Sequence, residues 1–216
     1  MTPRVALVDS DGVLANFAQG LIDLYLERYG EAPISVDGEP IKDESQWTHY
    51  RIEEQFIPSC AAILTNIMHE PGFFAALKPY KSSLLLPDLI REAGHQVDIC
   101  TMPTTRDFSG VVTVDPVAIY DKLGWFVRHF PLDAKNVVLT KRKSHIFGSV
   151  LVDDCVDNIN AWCNHHPHGL GILFDRPWNR GLKLEYVNSI RLGSYAEAGA
   201  AAVRYMNSQT RHPAQS

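Results

Sequence analysis

Residues 5–12 read VALVDSDG, and this stretch decides the fold. Its first four residues are apolar without interruption, which suits a short strand covered on both faces, since a half-exposed strand would alternate. Asp9 and Asp11 follow at once, and then a glycine. Four more short runs lie downstream, interrupted only by Asp98: 97–100 ending at Thr101, 137–139 ending at Thr140, 150–152 ending at Asp153, and 171–174 ending at Asp175. Between the runs, apolar residues recur at helical spacing. Leu14, Phe17, Ala18, Leu21, Tyr25 and Tyr29 trace one such face as far as Gly30, a helix stop. Residues 83–93, 116–130, 156–163 and 195–206 read the same way, with Pro116 placed for a first helical turn. Strands alternating with helices predict an α/β protein built on a doubly wound parallel sheet.

One interval is too long for a simple crossover. A βαβ unit takes on the order of 30 residues, yet the first strand ends near Asp9 and the second near Thr101. The excess lies in 31–80, which begins polar and then carries Trp47, Tyr50, Phe56, Ile63, Ile67, Phe73 and Phe74. It is expected to be a small, mainly helical cap inserted after the first helix, leaving 1–30 and 81–206 as the catalytic core. The stretch 207–216 has little to bury and reads as a frayed tail.

With 45% apolar and 21% charged residues, the 216-residue chain has the composition of an ordinary globular protein. Its 20 Lys and Arg against 25 Asp and Glu give a net charge of -5, and its longest basic run is 141–143. A nucleic-acid polymer is therefore not the expected partner, because such binding rests on clustered cations. No run of eighteen apolar residues and no apolar segment of signal-peptide length occurs, so a soluble, cytoplasmic protein without a membrane partner is expected. The cysteines Cys60, Cys100, Cys155 and Cys163 form no CxxC pair and read as reduced thiols. Cys163, His165, His166 and His168 hold soft ligand types within six residues, but their spacing is poor for zinc.

In open α/β sheets ligands bind beyond the carboxyl ends of the strands. Asp9 and Asp11, Thr101, Lys143, and Asp153 with Asp154 all lie there, on four separate segments. Four carboxylates meeting in one pocket would repel unless neutralised, and an all-oxygen donor set points to magnesium held by Asp9, Asp11, Asp153 and Asp154. Each residue alone has a plain structural explanation: an Asp-x-Asp-Gly turn commonly caps a helix, and a single lysine is commonly a solvated surface group. Their conjunction, in order and each after a strand, favours a site.

The segments VDSDGVLANF (8–17), DICTMP (98–103), VVLTKRKS (137–144) and LVDDCVDN (151–158) resemble the four motifs of the haloacid dehalogenase superfamily of aspartyl-phosphate-forming phosphatases. With HEPGFFAALKPY (69–80) and YDKLGWFVRHF (120–130), the resemblance is closest to the cytosolic and mitochondrial 5'(3')-deoxyribonucleotidases. It implies a magnesium-dependent hydrolase of (deoxy)nucleoside monophosphates. Asp9 would be the nucleophile, Asp11 the general acid and base, Thr101 a hydrogen-bond donor to phosphate and Lys143 a positive charge beside Asp9. The metal would sit on Asp9, the backbone carbonyl of Asp11, and Asp153 or Asp154. Phe17, Trp47 and Phe74 fall where that branch has pocket aromatics, Lys141 keeps a basic partner, and Phe73 reads as core. Met102, Thr104 and Thr105 depart from the branch pattern, which leaves base preference and the 5' or 3' choice open. So does oligomeric state, a homodimer included. Two other readings remain: a phosphatase of the same superfamily for a sugar phosphate, and a non-catalytic phosphate-binding scaffold.

Overall fold

The computed structural model describes residues 4–102, 104–106, 112–130 and 134–209. The strands are β1 (Val5–Val8), β2 (Gln96–Thr101), β3 (Thr104–Arg106), β4 (Val112–Val114), β5 (Val137–Leu139), β6 (Val150–Asp153), β7 (Leu170–Phe174) and β8 (Ser189–Leu192). The helices are α1 (Phe17–Tyr29), α2 (Ile52–Gln55), α3 (Pro58–Met68), α4 (Phe73–Ala76), α5 (Leu85–Glu92), α6 (Pro116–His129), α7 (Val156–His165) and α8 (Tyr195–Ser208). Six strands form one parallel sheet in the order β5-β2-β1-β6-β7-β8. The chain runs outward from β1 through β2 to β5, then crosses to β6 and runs outward the other way. β1 and β6 therefore flank the switch point, where such sheets leave a crevice.

The uninterrupted apolar runs are explained by cover on both faces. Ala6, Val8, Ile99 and Val152 enter one apolar cluster, which also takes in Leu21 of α1, Ile90 of α5, Phe126 of α6 and Ala202 of α8. Leu7, Cys100, Leu151 and Leu173 point the other way, against Val156, Ile159 and Trp162 of α7. Gly30 ends α1 in the left-handed conformation at φ 70°, as a glycine stop should, and Pro116 opens α6.

Residues 31–80 contain a 3-10 turn (Glu44–Gln46), α2, α3 and α4. Trp47, Phe56, Leu64 and Ile67 belong to the same apolar cluster as Val8 and Ile99, so this segment packs onto the sheet without a separate core. Among the described residues no helix is long and apolar enough to cross a membrane.

Several boundaries differ from the sequence reading. α1 begins only at Phe17, because the Asn16 side chain accepts from Gln19 N and starts the helix there, with Leu14 buried in the preceding loop. α5 is shorter than 83–93, and α7 runs two residues further than 156–163. β8 escaped detection because all four of its residues are only partly buried, and β3 and β4, an antiparallel pair of three residues each, are too short to show a period. The expected tail starts too early. α8 continues through Asn207 and Ser208, the Asn207 side chain meets His95 Nε2 at 3.1 Å, and Arg4 donates to the Gln209 carbonyl at 2.9 Å. Residues 210–216 lie outside the described residues.

Candidate active site

Adjacent strands bring the carboxylates together. Parallel pairing of β1 with β6 sets Val8 beside Val152, and the Asp9 N–H donates to the Val152 carbonyl at 2.9 Å, so Asp9 and Asp153 leave the sheet side by side. Asp9, Asp153 and Asp154 each offer an oxygen within 4.8 Å of the others, and all three are buried. From the 3-10 turn Lys143–His145, Lys143 Nζ reaches Asp9 Oδ1 at 2.8 Å and Asp153 Oδ2 at 2.7 Å. Asp153 also accepts from the Cys155 N–H at 2.8 Å and from the Asn158 side chain.

Burial works against these charges. It pushes the Asp9 carboxyl up to about 7, with Lys143 opposing and Asp153 and Asp11 reinforcing the rise. Asp154 is also raised, by burial first and then by Asp153 and Asp9. Burial would discharge Lys143 too, but Asp153 and Asp9 outweigh it and hold the ammonium above the ordinary lysine value. With all three carboxylates ionised, one ammonium would leave a charge of about -2 in a nearly solvent-free site; the raised Asp9 and Asp154 show how strongly that charge calls for a neutralising group, which an all-oxygen divalent-cation centre supplies.

Asp11 does not join that trio. Its side chain turns toward Lys122 of α6, whose Nζ pairs with Asp11 Oδ2 and lies 3.2 Å from Thr101 Oγ1. Among the described residues Asp11 Oδ1 is buried without a hydrogen-bond partner. A carboxylate of the Asp-x-Asp pair thus lines the cavity with one oxygen unpaired among the described residues. Lys122 is 3% exposed and was missed in the sequence reading, although a signal existed. It occupies the face of α6 shared by Ala118 and Trp125, where a lysine has no place in a plain core.

A cavity of about 470 Å³ opens from these groups, and Phe17, Trp47, Phe74, Met102 and Lys141 all line it. Phe17 and Phe74 lie with ring planes 19° apart and centroids 6.0 Å apart, and Lys122 Nζ sits 4.7 Å from the centre of the Phe74 ring. Trp47 touches the cavity but is held as a core residue. It is 3% exposed, meets Phe56 edge-on and donates its indole N–H to the His49 carbonyl at 2.6 Å. Phe73 packs edge-on against both Phe17 and Phe74. Tyr50 and Arg51 also reach the cavity, on a loop that the buried Gln55 organises by accepting from the Thr48 and His49 N–H groups at 2.7 and 2.9 Å. No local pattern in the sequence marks that loop. The side chains of Thr104 and Thr105 lie outside the described residues.

The Cys163 and histidine cluster is engaged elsewhere. Cys163 Sγ donates to the Asn188 carbonyl, His165 Nδ1 meets the Ala161 carbonyl at 2.9 Å, and His166 Nε2 meets the Ser144 carbonyl at 3.0 Å. His166 thereby braces the turn that carries Lys143.

Residues 3–204 match the model of the family described as "5' nucleotidase, deoxy (Pyrimidine), cytosolic type C protein". The human 5'(3')-deoxyribonucleotidase, cytosolic type, is 29% identical over 153 residues, covering 68% of this chain and 69% of that protein. The mouse mitochondrial 5'(3')-deoxyribonucleotidase is 28% identical over 196 residues, covering 88% and 81%. In fold, the chain is similar to a HAD family hydrolase from Deinococcus radiodurans R1, crystallised with bound phosphate and sodium. There the TM-score is 0.50 and the identity 15%, over 94% of this chain and 96% of that one.

Proposed function

We propose, from the premise that the chain belongs to the 5' nucleotidase, deoxy (pyrimidine), cytosolic type C family and is a phosphoric monoester hydrolase, that it hydrolyses (deoxy)nucleoside monophosphates to nucleoside and phosphate. The observation that carries this reading is the junction of two unlike walls. Asp9, with Lys143 at 2.8 Å, opens onto the cavity that the near-parallel rings of Phe17 and Phe74 line. A phosphate suits the first wall and a nucleobase the second.

In this reading Asp9 attacks phosphorus, a phosphorus–oxygen bond forms to its carboxylate and the bond to the ribose oxygen breaks. Asp11 gives its proton to that leaving oxygen. It then takes a proton from the water that attacks the aspartyl phosphate, which splits into phosphate and free Asp9. Thr101 donates to a phosphoryl oxygen, and Lys143 and Lys122 place fixed positive charge on either carboxylate of the Asp-x-Asp pair. Asp9, the Asp11 carbonyl and Asp154 are the groups that would hold Mg2+, Asp153 being already hydrogen-bonded by Lys143, Cys155 and Asn158. The cation, when bound, supplies neutralising charge for a dianionic phosphate. Residues 31–80 act as the cap that closes the base-binding side.

A panel of nucleoside monophosphates and sugar phosphates, assayed with Mg2+ and with chelator, tests the proposal. A deoxynucleoside monophosphate should be preferred and chelator should abolish turnover. Preference for sugar phosphates over every nucleotide, or full activity in excess chelator, would contradict it.

A further inference from the structure

The stretch FDRPWN at 174–179 closes on the acidic centre at the end of β7. Trp178 Nε1 donates to Asp154 Oδ2 at 2.8 Å, and both residues are buried, at 7% and 4% exposure. The next residue, Asn179, donates its side-chain amide to the Asp154 carbonyl at 2.8 Å and to the Phe174 carbonyl at 2.8 Å. Asp154 is therefore gripped through both its side chain and its main chain.

The same stretch also reaches the turn after β1. Arg176 Nε donates to the Gly12 carbonyl, while its guanidinium lies 3.6 Å from the centre of the Tyr80 ring. Arg176 Nη2 donates to the Tyr195 hydroxyl at 2.8 Å, and that hydroxyl donates to the Val13 carbonyl at 2.6 Å. Gly12, at φ +72°, lets the two sides meet: a Cβ there would stand 2.1 Å from Asp154 Oδ2 and 3.1 Å from the Trp178 ring. One 3-10 turn (Pro177–Asn179) and its leading arginine thus tie the loop behind the nucleophile to the carboxylate behind β6.

An indole N–H only donates, so it cannot compete for a cation and can only orient the carboxylate it holds. With Oδ2 held by the indole, the carboxylate is fixed in the orientation in which it approaches Asp9 and Asp153. We propose that Trp178 is a positioning residue for the divalent cation, its indole N–H setting the carboxylate of Asp154 in the ligating orientation while Asn179 and Arg176 hold the backbone on each side. This rests on the reading of the acidic trio as a cation site given above. Outer partners of ligating groups are commonly worth about 10- to 100-fold in metal affinity, so loss of this one should cost about tenfold.

The test is binding of Mn2+ alone to the full chain, read from the electron paramagnetic resonance signal of the free ion, with the thermal melt of each metal-free variant alongside. The parent should bind Mn2+ and Asp154→Asn should abolish binding. Trp178→Phe, which keeps an aromatic ring without the N–H, should raise the Kd about tenfold and leave the melt unchanged. Should Trp178→Phe lower the melt, β-(3-benzothienyl)alanine at position 178, which keeps the bicyclic shape and lacks only the N–H, is measured instead. Either folded variant binding Mn2+ as tightly as the parent would overturn the role of Trp178. A parent that binds no Mn2+ would overturn the cation reading beneath it.

Discussion

On the sheet side of the cavity, Asp9 and Asp153 are placed by strand ends, Lys143 by a 3-10 turn, and the three are held by ion pairs at 2.7 and 2.8 Å. On its aromatic side, Phe17, Phe74 and Trp47 are placed by packing, with centroids 4.9 to 6.0 Å from neighbouring rings. The difference separates two properties. Strand register sets polar atoms to a fraction of an ångström, which chemistry requires, whereas a packed wall sets shape and area, which recognition requires. Damage to the first should abolish turnover and leave the fold; damage to the second should change affinity or stability.

The largest expected effect is on the sheet side. Asp9→Asn should lower kcat by about 10⁴-fold or more, since the nucleophile has no substitute. It also removes a buried charge, so the melting temperature of the metal-free protein should not fall. Turnover by a folded Asp9→Asn variant would break the comparison at its strongest point. Lys122→Met keeps the stem of the side chain and removes the charge beside Asp11 and Thr101, and about a 10²-fold loss in kcat/KM is expected from steady-state kinetics. A loss below threefold would make Lys122 a structural group only.

The aromatic side divides. Trp47→Ala should cost about 3 to 5 kcal/mol of stability, as for a large ring removed from a core, measurable by urea denaturation. Phe17→Leu affects a half-buried ring facing the cavity. It should raise KM for a deoxynucleoside monophosphate several-fold with little change in kcat, and leave p-nitrophenyl phosphate hydrolysis as it was. Equal losses on both substrates would mean that the ring supports the site rather than the base.

The smallest effect is one of pH. In the metal-free protein, burial raises the Asp9 carboxyl from 3.8 to about 7, so between those values the folded state binds more protons than the unfolded. Stability from this group is then greatest below about pH 4 and falls as pH rises through about 7. The metal-free melting temperature should drop by a few degrees between pH 5 and pH 7.5, and Asp9→Asn should lessen the slope, with the raised Asp154 carboxyl keeping part of it.

The same contrast explains what the sequence made legible. The sheet could be read because burial on both faces leaves unbroken apolar runs, as at 5–8 and 150–152. Asp9, Asp11, Thr101, Lys143, Asp153 and Asp154 could be found because each lies just beyond such a run; five of them line the cavity, and Asp153 sits fully buried behind Lys143. Lys122 and Trp178 touch the same centre, yet neither has a residue type that marks it: Lys122 follows no run, and Trp178, four residues beyond β7, reads as an ordinary apolar residue. Lys122 arrives through the buried face of a helix, and Trp178 through a 3-10 turn whose hydrogen bond to Asp154 spans 24 residues. The wall from 31–80 was legible only as composition. Which of its aromatics face the cavity depends on tertiary contacts such as Trp47 against Phe56, and these have no local period.

The account stands or falls on Asp9 as the nucleophile. The most direct measurement is to quench the enzyme during turnover of a deoxynucleoside monophosphate, reduce any acyl phosphate with borohydride, and locate the resulting homoserine by peptide mass spectrometry. Homoserine at position 9 alone, dependent on substrate, is predicted; its absence under turnover, or its appearance at position 11, 153 or 154, would contradict the account.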